Sequence, residues 1–219
     1  MPHSAPITDP IDHPAMSASL RTLARRGEIR RYRKNTLLIQ EGDQGDTLYL
    51  ILSGRLRSFS VGERGREITY GVYGPGEYLG EMSLDGGPRS ASVVTLEASV
   101  CAVLTRTTLQ RHIAEDPAFA FELIGKVIRR ARAATVSAKQ LALNDVYGRL
   151  VLLLNGLASV QADGTRLVGE RLTQQEMANR LGCSREMVTR QINDLQDGGW
   201  LRAPRSGQMV LLKPLPPRW

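Results

Sequence analysis

Glycine spacing is the strongest constraint on how this chain folds. Between Gly27 and about Thr105, glycines at 42, 45, 54, 62, 65, 74, 76, 86 and 87 cut the sequence into short runs. These are Thr36–Gln40, Thr47–Leu52, Leu56–Val61, Glu67–Val72, Ala91–Leu96 and Ser99–Thr105, each alternating or apolar. Glycine weakens every helical turn it enters, whereas short strands joined by glycine turns accept this spacing. The pattern predicts an antiparallel β-barrel or sandwich. Cys101 falls in the last run and reads as a small core side chain. Upstream, residues 1–18 hold four prolines and no periodicity, and read as a flexible arm.

Helical spacing takes over near Pro117. Ile124, Val127, Ala131, Ala134, Ala138 and Leu141 repeat at alternating intervals of 3 and 4 residues. That is an a/d seam over nearly three heptads, and it predicts a long helix across 117–145. The seam fits either a helix packed on its own barrel or two helices from a symmetric dimer. Small alanines favour the dimer, because they allow close approach, while Arg129, Arg130, Arg132 and Lys139 keep the flanks solvated. The divisions are therefore 1–18 arm, 19–116 barrel, 117–145 dimer helix and 146–219 a compact helical unit.

In that last unit, Asp145 to Leu157 reads as one helix and Ala162-Asp163-Gly164-Thr165 as a turn. Thr173 and Glu176 form a capping box that opens a second helix ending at Gly182. A third starts after Ser184 and runs to about Gln196, and two short strands follow around Arg205-Ser206-Gly207. Two helices joined by Leu181-Gly182-Cys183-Ser184 match a helix-turn-helix followed by a wing. Met177, Leu181, Val188, Ile192 and Leu195 suit one small core. Arg185, Glu186, Thr189, Arg190 and Asn193 form the polar face of the last of these helices, and Arg185, Glu186 and Arg190 sit where base edges are met when such a helix enters the major groove. Thr173, Gln174 and Gln175 suit phosphate oxygens.

Charge agrees with this division. The net charge is +7, yet residues 1–116 carry 14 Lys+Arg against 14 Asp+Glu, so the whole excess lies beyond them. A neutral front and a basic back fit attraction to a polyanion, or simply a solvated surface.

Leu172-Thr173-Gln174-Gln175-Glu176-Met177 with Gly182-Cys183-Ser184-Arg185-Glu186-Met187-Val188-Thr189-Arg190 resembles the DNA-binding motif of the catabolite activator (CRP/FNR) family. The resemblance makes Arg185, Glu186 and Arg190 the base readers, with Thr173, Gln174, Gln175, Ser184 and Thr189 beside them. It implies a palindromic operator with TGTGA-type half-sites. Met187 departs from the prototype's Thr, which puts one phosphate contact in doubt.

The front half carries Gly76-Glu77-Tyr78-Leu79-Gly80-Glu81-Met82-Ser83-Leu84, then Pro88-Arg89-Ser90-Ala91-Ser92. A dinucleotide fingerprint fails on spacing, and Asp43-Gln44-Gly45-Asp46 lacks the ligand alternation of a calcium loop. A helix opening after Gly80 would attract an anion, Arg89 would clamp a phosphate, and Glu81 would accept from a sugar hydroxyl. The segment resembles the phosphate-binding cassette of cyclic-nucleotide-binding domains, preceded by Glu41-Gly42-Asp43, Leu48-Tyr49 and Gly54. The resemblance spans roughly residues 25–219. It implies an α+β protein: an N-terminal jelly-roll barrel, a long dimerisation helix and a C-terminal winged helix-turn-helix. Gly80, Glu81, Met82, Ser83, Arg89 and Ser90 would line the ligand, with Glu81 on the ribose 2′-hydroxyl and Arg89 and Ser90 on the cyclic phosphate. Ala134 and Thr135 fall where the prototype has the Thr-Ser pair that meets the base. For Arg129, Arg130 and Arg132, a solvated flank and a second phosphate site are the two readings.

The effector expected is a cyclic nucleotide: cyclic AMP first, then cyclic GMP or cyclic di-GMP; the alternative is a ligand-independent regulator whose barrel keeps the shape and binds nothing. The partners expected are double-stranded DNA, a second copy of the chain and RNA polymerase. Hydrophobic residues make up 42% and no apolar run exceeds five residues, against the roughly 20 a membrane span needs. The first twenty residues lack a signal peptide's apolar core. A reducing cytoplasm is the expected setting. Cys101 and Cys183 are too few for a disulfide framework or an iron–sulfur site, and His3, His13 and His112 are isolated. No metal, no haem and no enzymatic role are expected.

Overall fold

The computed structural model describes residues 10–63, 65–204 and 208–216, so the expected Arg205-Ser206-Gly207 turn and most of the expected arm lie outside the described residues. Two compact units emerge, one of residues up to Ser60 with Thr69–Arg130, the other of Val61–Ile68 with the chain from Ala131 onward.

The first unit contains α1 (Ala18–Ala24), eight strands and α2 (Arg106–Glu115). The strands are β1 (Glu28–Tyr32), β2 (Leu37–Ile39), β3 (Leu48–Ser53), β4 (Leu56–Val61), β5 (Glu67–Tyr73), β6 (Tyr78–Leu79), β7 (Ser92–Thr95) and β8 (Ser99–Leu104). They form two four-stranded sheets, ordered β1-β8-β3-β6 and β2-β7-β4-β5. Six of these strands follow the runs predicted from glycine spacing. The near-continuous apolar run of β3 has a structural cause: successive side chains point to opposite faces, and both faces of its sheet are covered. Leu48, Leu50 and Leu52 join Leu20, Leu23, Ala102, Leu104 and Leu109 in one core. Ile51 joins Leu56, Val93 and Cys101 in a second core, with Ile39 and Leu79. Burial pushes the Cys101 thiol up to about 12, so it is an inert core side chain.

Three segments differ from the expectation. From Pro10 onward the expected arm is part of the fold: Pro10–Asp12 forms a 3₁₀ turn, and Ile11 and Met16 are buried in the first core. Their spacing among prolines carries no period, so only the sheet face that receives them reveals their role. β1 is an edge strand paired with β8 over Glu28↔Val103 to Tyr32↔Ser99, and most of it is exposed. α2, capped by Thr105 accepting from the Thr108 N–H at 3.2 Å, lies within what reads as barrel.

α3 (Ala118–Leu143) starts with Phe119 buried in the first core. Its seam residues Ile124, Val127, Ala131, Ala134, Ala138 and Leu141 are exposed in the single chain. Among the described residues no helix is long and apolar enough to cross a membrane.

The second unit holds α4 (Val146–Leu157), α5 (Gln174–Leu181) and α6 (Arg185–Asp197) with the sheet β11-β12-β10-β9. Its strands are β9 (Ala158–Val160), β10 (Arg166–Val168), β11 (Leu201–Arg202) and β12 (Val210–Leu211). The β9–β10 hairpin turns at the expected Ala162–Thr165, where the Gln161 N–H donates to Thr165 O at 2.8 Å. Tyr147, Leu150 and Leu154, at helical spacing on α4, meet Met177, Leu181, Val188, Ile192 and Leu195. Arg149 fastens this packing, donating through Nε to Leu181 O at 3.1 Å and through Nη1 to Asn144 O at 2.8 Å.

His112 ties α1 to α2. Ser19 Oγ donates to Asp116 Oδ2 at 2.6 Å and has one proton, so its 3.0 Å contact with His112 Nε2 requires Nε2 to donate. Nδ1 is then bare, and it is buried without a partner. Burial lowers the His112 pKa below its ordinary 6.5 and Arg26 pushes the same way, against Asp116, Glu115 and Glu122. With the folded pKa depressed, only the unfolded chain takes up a proton just below pH 6.5. The stability is therefore full above that value and falls as pH drops toward the folded pKa. His112→Gln should show a smaller loss of Tm than wild type between about pH 7.5 and pH 5.5. Equal losses in thermal scans would disprove this.

Candidate functional site

The cassette is built by the turn that follows β6. Gly80 stands at φ 98°, and a Cβ there would lie 2.5 Å from Thr47 O and 2.8 Å from Arg89 Nη1, so only glycine fits. The expected helix after Gly80 is a single 3₁₀ turn, Glu81–Ser83. So short a turn has little dipole, which leaves Arg89 as the cassette's attraction for an anion. Arg89 is 7% exposed and donates to Gly80 O at 3.1 Å and Thr47 Oγ1 at 2.9 Å. Its backbone is locked to the Glu41-Gly42-Asp43 segment: Arg89 N–H donates to Asp43 O at 2.8 Å, and Gly42 N–H to Arg89 O at 2.9 Å. Ser83 is buried and donates to Pro88 O at 3.5 Å, closing the loop, while Met82 and Ser90 are exposed.

Glu81 is buried, and the structure gives it a partner that sequence reading did not. Arg130 Nη1 donates to Glu81 Oε1, and its Nη2 donates to Tyr78 O at 2.6 Å. Glu77 lies 3.5 Å from the same Nη2. The guanidinium carbon sits 4.7 Å from the centre of the Tyr73 ring, close enough for a cation–π contact. Burial alone would lower the Arg130 pKa. The Glu81 charge and hydrogen bond, with Tyr73 and Glu77, more than offset that and hold the guanidinium charged. Arg130 is thus no solvated flank. One turn earlier Lys126 donates to Gly76 O at 2.5 Å and covers Tyr78 at 4.5 Å. Their four-residue spacing puts both cations on one helix face, but Arg129, three residues from Lys126, shares that neighbourhood, so spacing alone does not single out Arg130. The other carboxylate oxygen, Glu81 Oε2, is buried without a partner.

Ala134 and Thr135 belong to the second unit, on an exposed stretch of α3 where the Thr135 hydroxyl donates to Ala131 O at 3.0 Å. The cassette residues lie in the first unit.

In the helix-turn-helix, Thr173 and Glu176 form the expected capping box, and Ser184 accepts from the Met187 N–H at 3.3 Å. Between the helices Gly182 stands at φ 65°, a left-handed cap. Arg185, Glu186 and Arg190 are exposed on α6. The Glu186 pKa is lowered first by its own backbone N–H at the helix start, then by Ser184 and Arg185, so it presents an acceptor. Gln174 and Gln175 are engaged within the unit. Gln174 Oε1 accepts from Thr189 Oγ1 at 2.7 Å, and Gln175 Nε2 donates to Asn179 Oδ1 at 2.8 Å.

Residues 29–116 match the cyclic nucleotide-binding domain family and residues 148–214 the Crp-like helix-turn-helix domain family. The chain is 34% identical over 176 residues to a CRP-like cAMP-activated global transcriptional regulator of Mycobacterium tuberculosis, covering 78% of each protein. It is 31% identical to the CRP-like protein Clp of Xanthomonas axonopodis, over 84% of this chain and 83% of that one. Its fold superposes with a TM-score of 0.78 on the c-di-GMP responsive global regulator CLP of Xanthomonas campestris, at 28% identity, across 88% of this chain and 97% of the other. With both halves matched in order and one alignment running through them, the chain belongs to the CRP/FNR family of transcription regulators.

Proposed function

We propose that the chain is a homodimeric DNA-binding regulator controlled by a cyclic mononucleotide, cyclic AMP before cyclic GMP, held by the Gly80–Ser90 cassette. The observation that carries this is the orphaned Glu81 Oε2 on the same turn whose Gly80 carbonyl anchors the buried Arg89. A buried acceptor without a donor is costly, and a sugar hydroxyl is the donor that would relieve it, while Arg89 takes the phosphate. Ser90, exposed beside Arg89, would add a hydroxyl. A ligand seated there meets Arg130, so occupancy acts on α3, the helix that carries the exposed seam.

Cyclic di-GMP is the second reading, favoured by exposed Arg129 and Arg132 and by the named responsiveness of the Xanthomonas campestris regulator. It loses ground because Arg130, the central member of that cluster, is committed to Glu81 and Tyr78. Arg185, Glu186 and Arg190 are assigned to base edges, with Thr173, Gln174, Gln175 and Ser184 nearest phosphates. RNA polymerase is the further partner expected of a regulator of this kind.

Three measurements test the reading. Arg185→Ala should weaken the cognate operator by about 1–3 kcal/mol and relax one guanine position. Half-sites should lie about one helical turn, roughly 34 Å, apart. Randomised-site selection that returns no inverted repeat would sink the base-reader assignment. Ala134→Glu should place like charges face to face in the seam and yield monomers in sedimentation, with specific DNA binding lost. A wild-type monomer at micromolar concentration refutes the dimer. Cyclic AMP should tighten operator binding several-fold, and Arg89→Leu should abolish that response while leaving non-specific binding intact. If cyclic di-GMP binds instead, and Arg129→Ala weakens it while Glu81→Ala does not, the second reading replaces the first.

A further inference from the structure

Thr189 stands on the face of α6 that also carries Arg185 and Glu186, yet its hydroxyl is already in use. Oγ1 lies 2.7 Å from Gln174 Oε1 and 2.9 Å from the Arg185 carbonyl one turn back. A threonine hydroxyl has a single proton, and both neighbours are acceptors, so that proton stays inside the protein. Gln174 is the first residue of α5, and the bond therefore ties the opening turn of one helix to the second turn of the other. With its oxygen on Thr189, the Gln174 amide has its NH₂ as the free end, a pure donor group beside the N-terminus of α5.

We infer that Thr189 is a positioning residue and not a base reader. It sets the angle of Gln174, whose NH₂ donates to the DNA backbone. This rests on the DNA-binding reading above and narrows it: base choice falls to Arg185, Glu186 and Arg190, and the Gln174–Thr189 strut adds affinity that is blind to sequence. A strut of this kind also couples the two residues, so neither acts at full strength without the other.

The test uses the full-length chain, a selected operator and an unrelated duplex of equal length. Thr189→Val keeps the shape and removes the hydroxyl. It should weaken both duplexes alike, by about 3- to 10-fold, as expected for one neutral hydrogen bond. The bases chosen in randomised-site selection should not change. Gln174→Ala should give a similar uniform loss, and the double variant should be little worse than Gln174→Ala alone. Thr189→Ser, which restores the hydroxyl, should recover binding. Gln174→Glu keeps the acceptor for Thr189 but turns an oxygen anion toward phosphate, and should lose more than Gln174→Ala on both duplexes. Thermal scans of every variant separate this from unfolding. A changed base preference in Thr189→Val, additive losses, or unaltered affinity each overturn the proposal while leaving the DNA reading in place. A wild-type chain that binds neither duplex overturns both.

Discussion

A charged cluster inside the sensor unit depends on ion pairing, and the rest of that unit is arranged to permit it. Glu81 is buried beside β6, and a carboxylate there would be strongly disfavoured without a partner. Arg130 supplies it from α3, and Tyr73 and the Tyr78 carbonyl complete the guanidinium's surroundings. Arg89 is satisfied separately by Gly80 and Thr47. The left-handed Gly80 is what brings these groups together, since a side chain there would collide with both Thr47 and Arg89.

Pairing of this sort is poor at adding stability and well suited to switching. A buried ion pair gains little over an apolar replacement of the same volume, but removing one partner is costly. On the function proposed above, a ligand that donates to Glu81 would alter the balance that holds Arg130. The core beside the site is two-sided: β3 is apolar on both faces, and its sheet is covered by α1 and α2 on one side and by the second sheet on the other.

The DNA-reading unit follows a different economy. Its core is a small apolar set from three helices and short strands, and Gln174 bonds to Thr189 and Gln175 to Asn179 within the unit itself. Capping oxygens begin α5 and α6, so the turn between them is set by local bonds plus one left-handed glycine. Arg185, Glu186 and Arg190 stand exposed on the face so presented.

Local chemistry was legible in the sequence, and long-range pairing was not. Thr173 with Glu176, Ser184, Gly182 and the Ala162–Thr165 turn act over three or four residues, so residue type and spacing suffice to place them. The β strands from Glu28 to Leu104 were readable from period and glycine turns, except the exposed edge β1 and the two-residue β6. The length of α3 was readable because 3-and-4 spacing marks a helix whatever its apolar stripe meets. By contrast, Arg130 meets Glu81 across 49 residues, Ser19 meets His112 across 93, and Ile11 and Met16 find their core only once the sheet exists. Nothing local distinguishes Arg130 from Arg129 or Arg132; the orientation of α3 against β6 does. The sequence alone determined most of the elements, their order and the residue types the two motifs carry. Tertiary structure decided which of those side chains are free to act and which are bound to each other, because a hydrogen bond or ion pair belongs to two places in the chain at once.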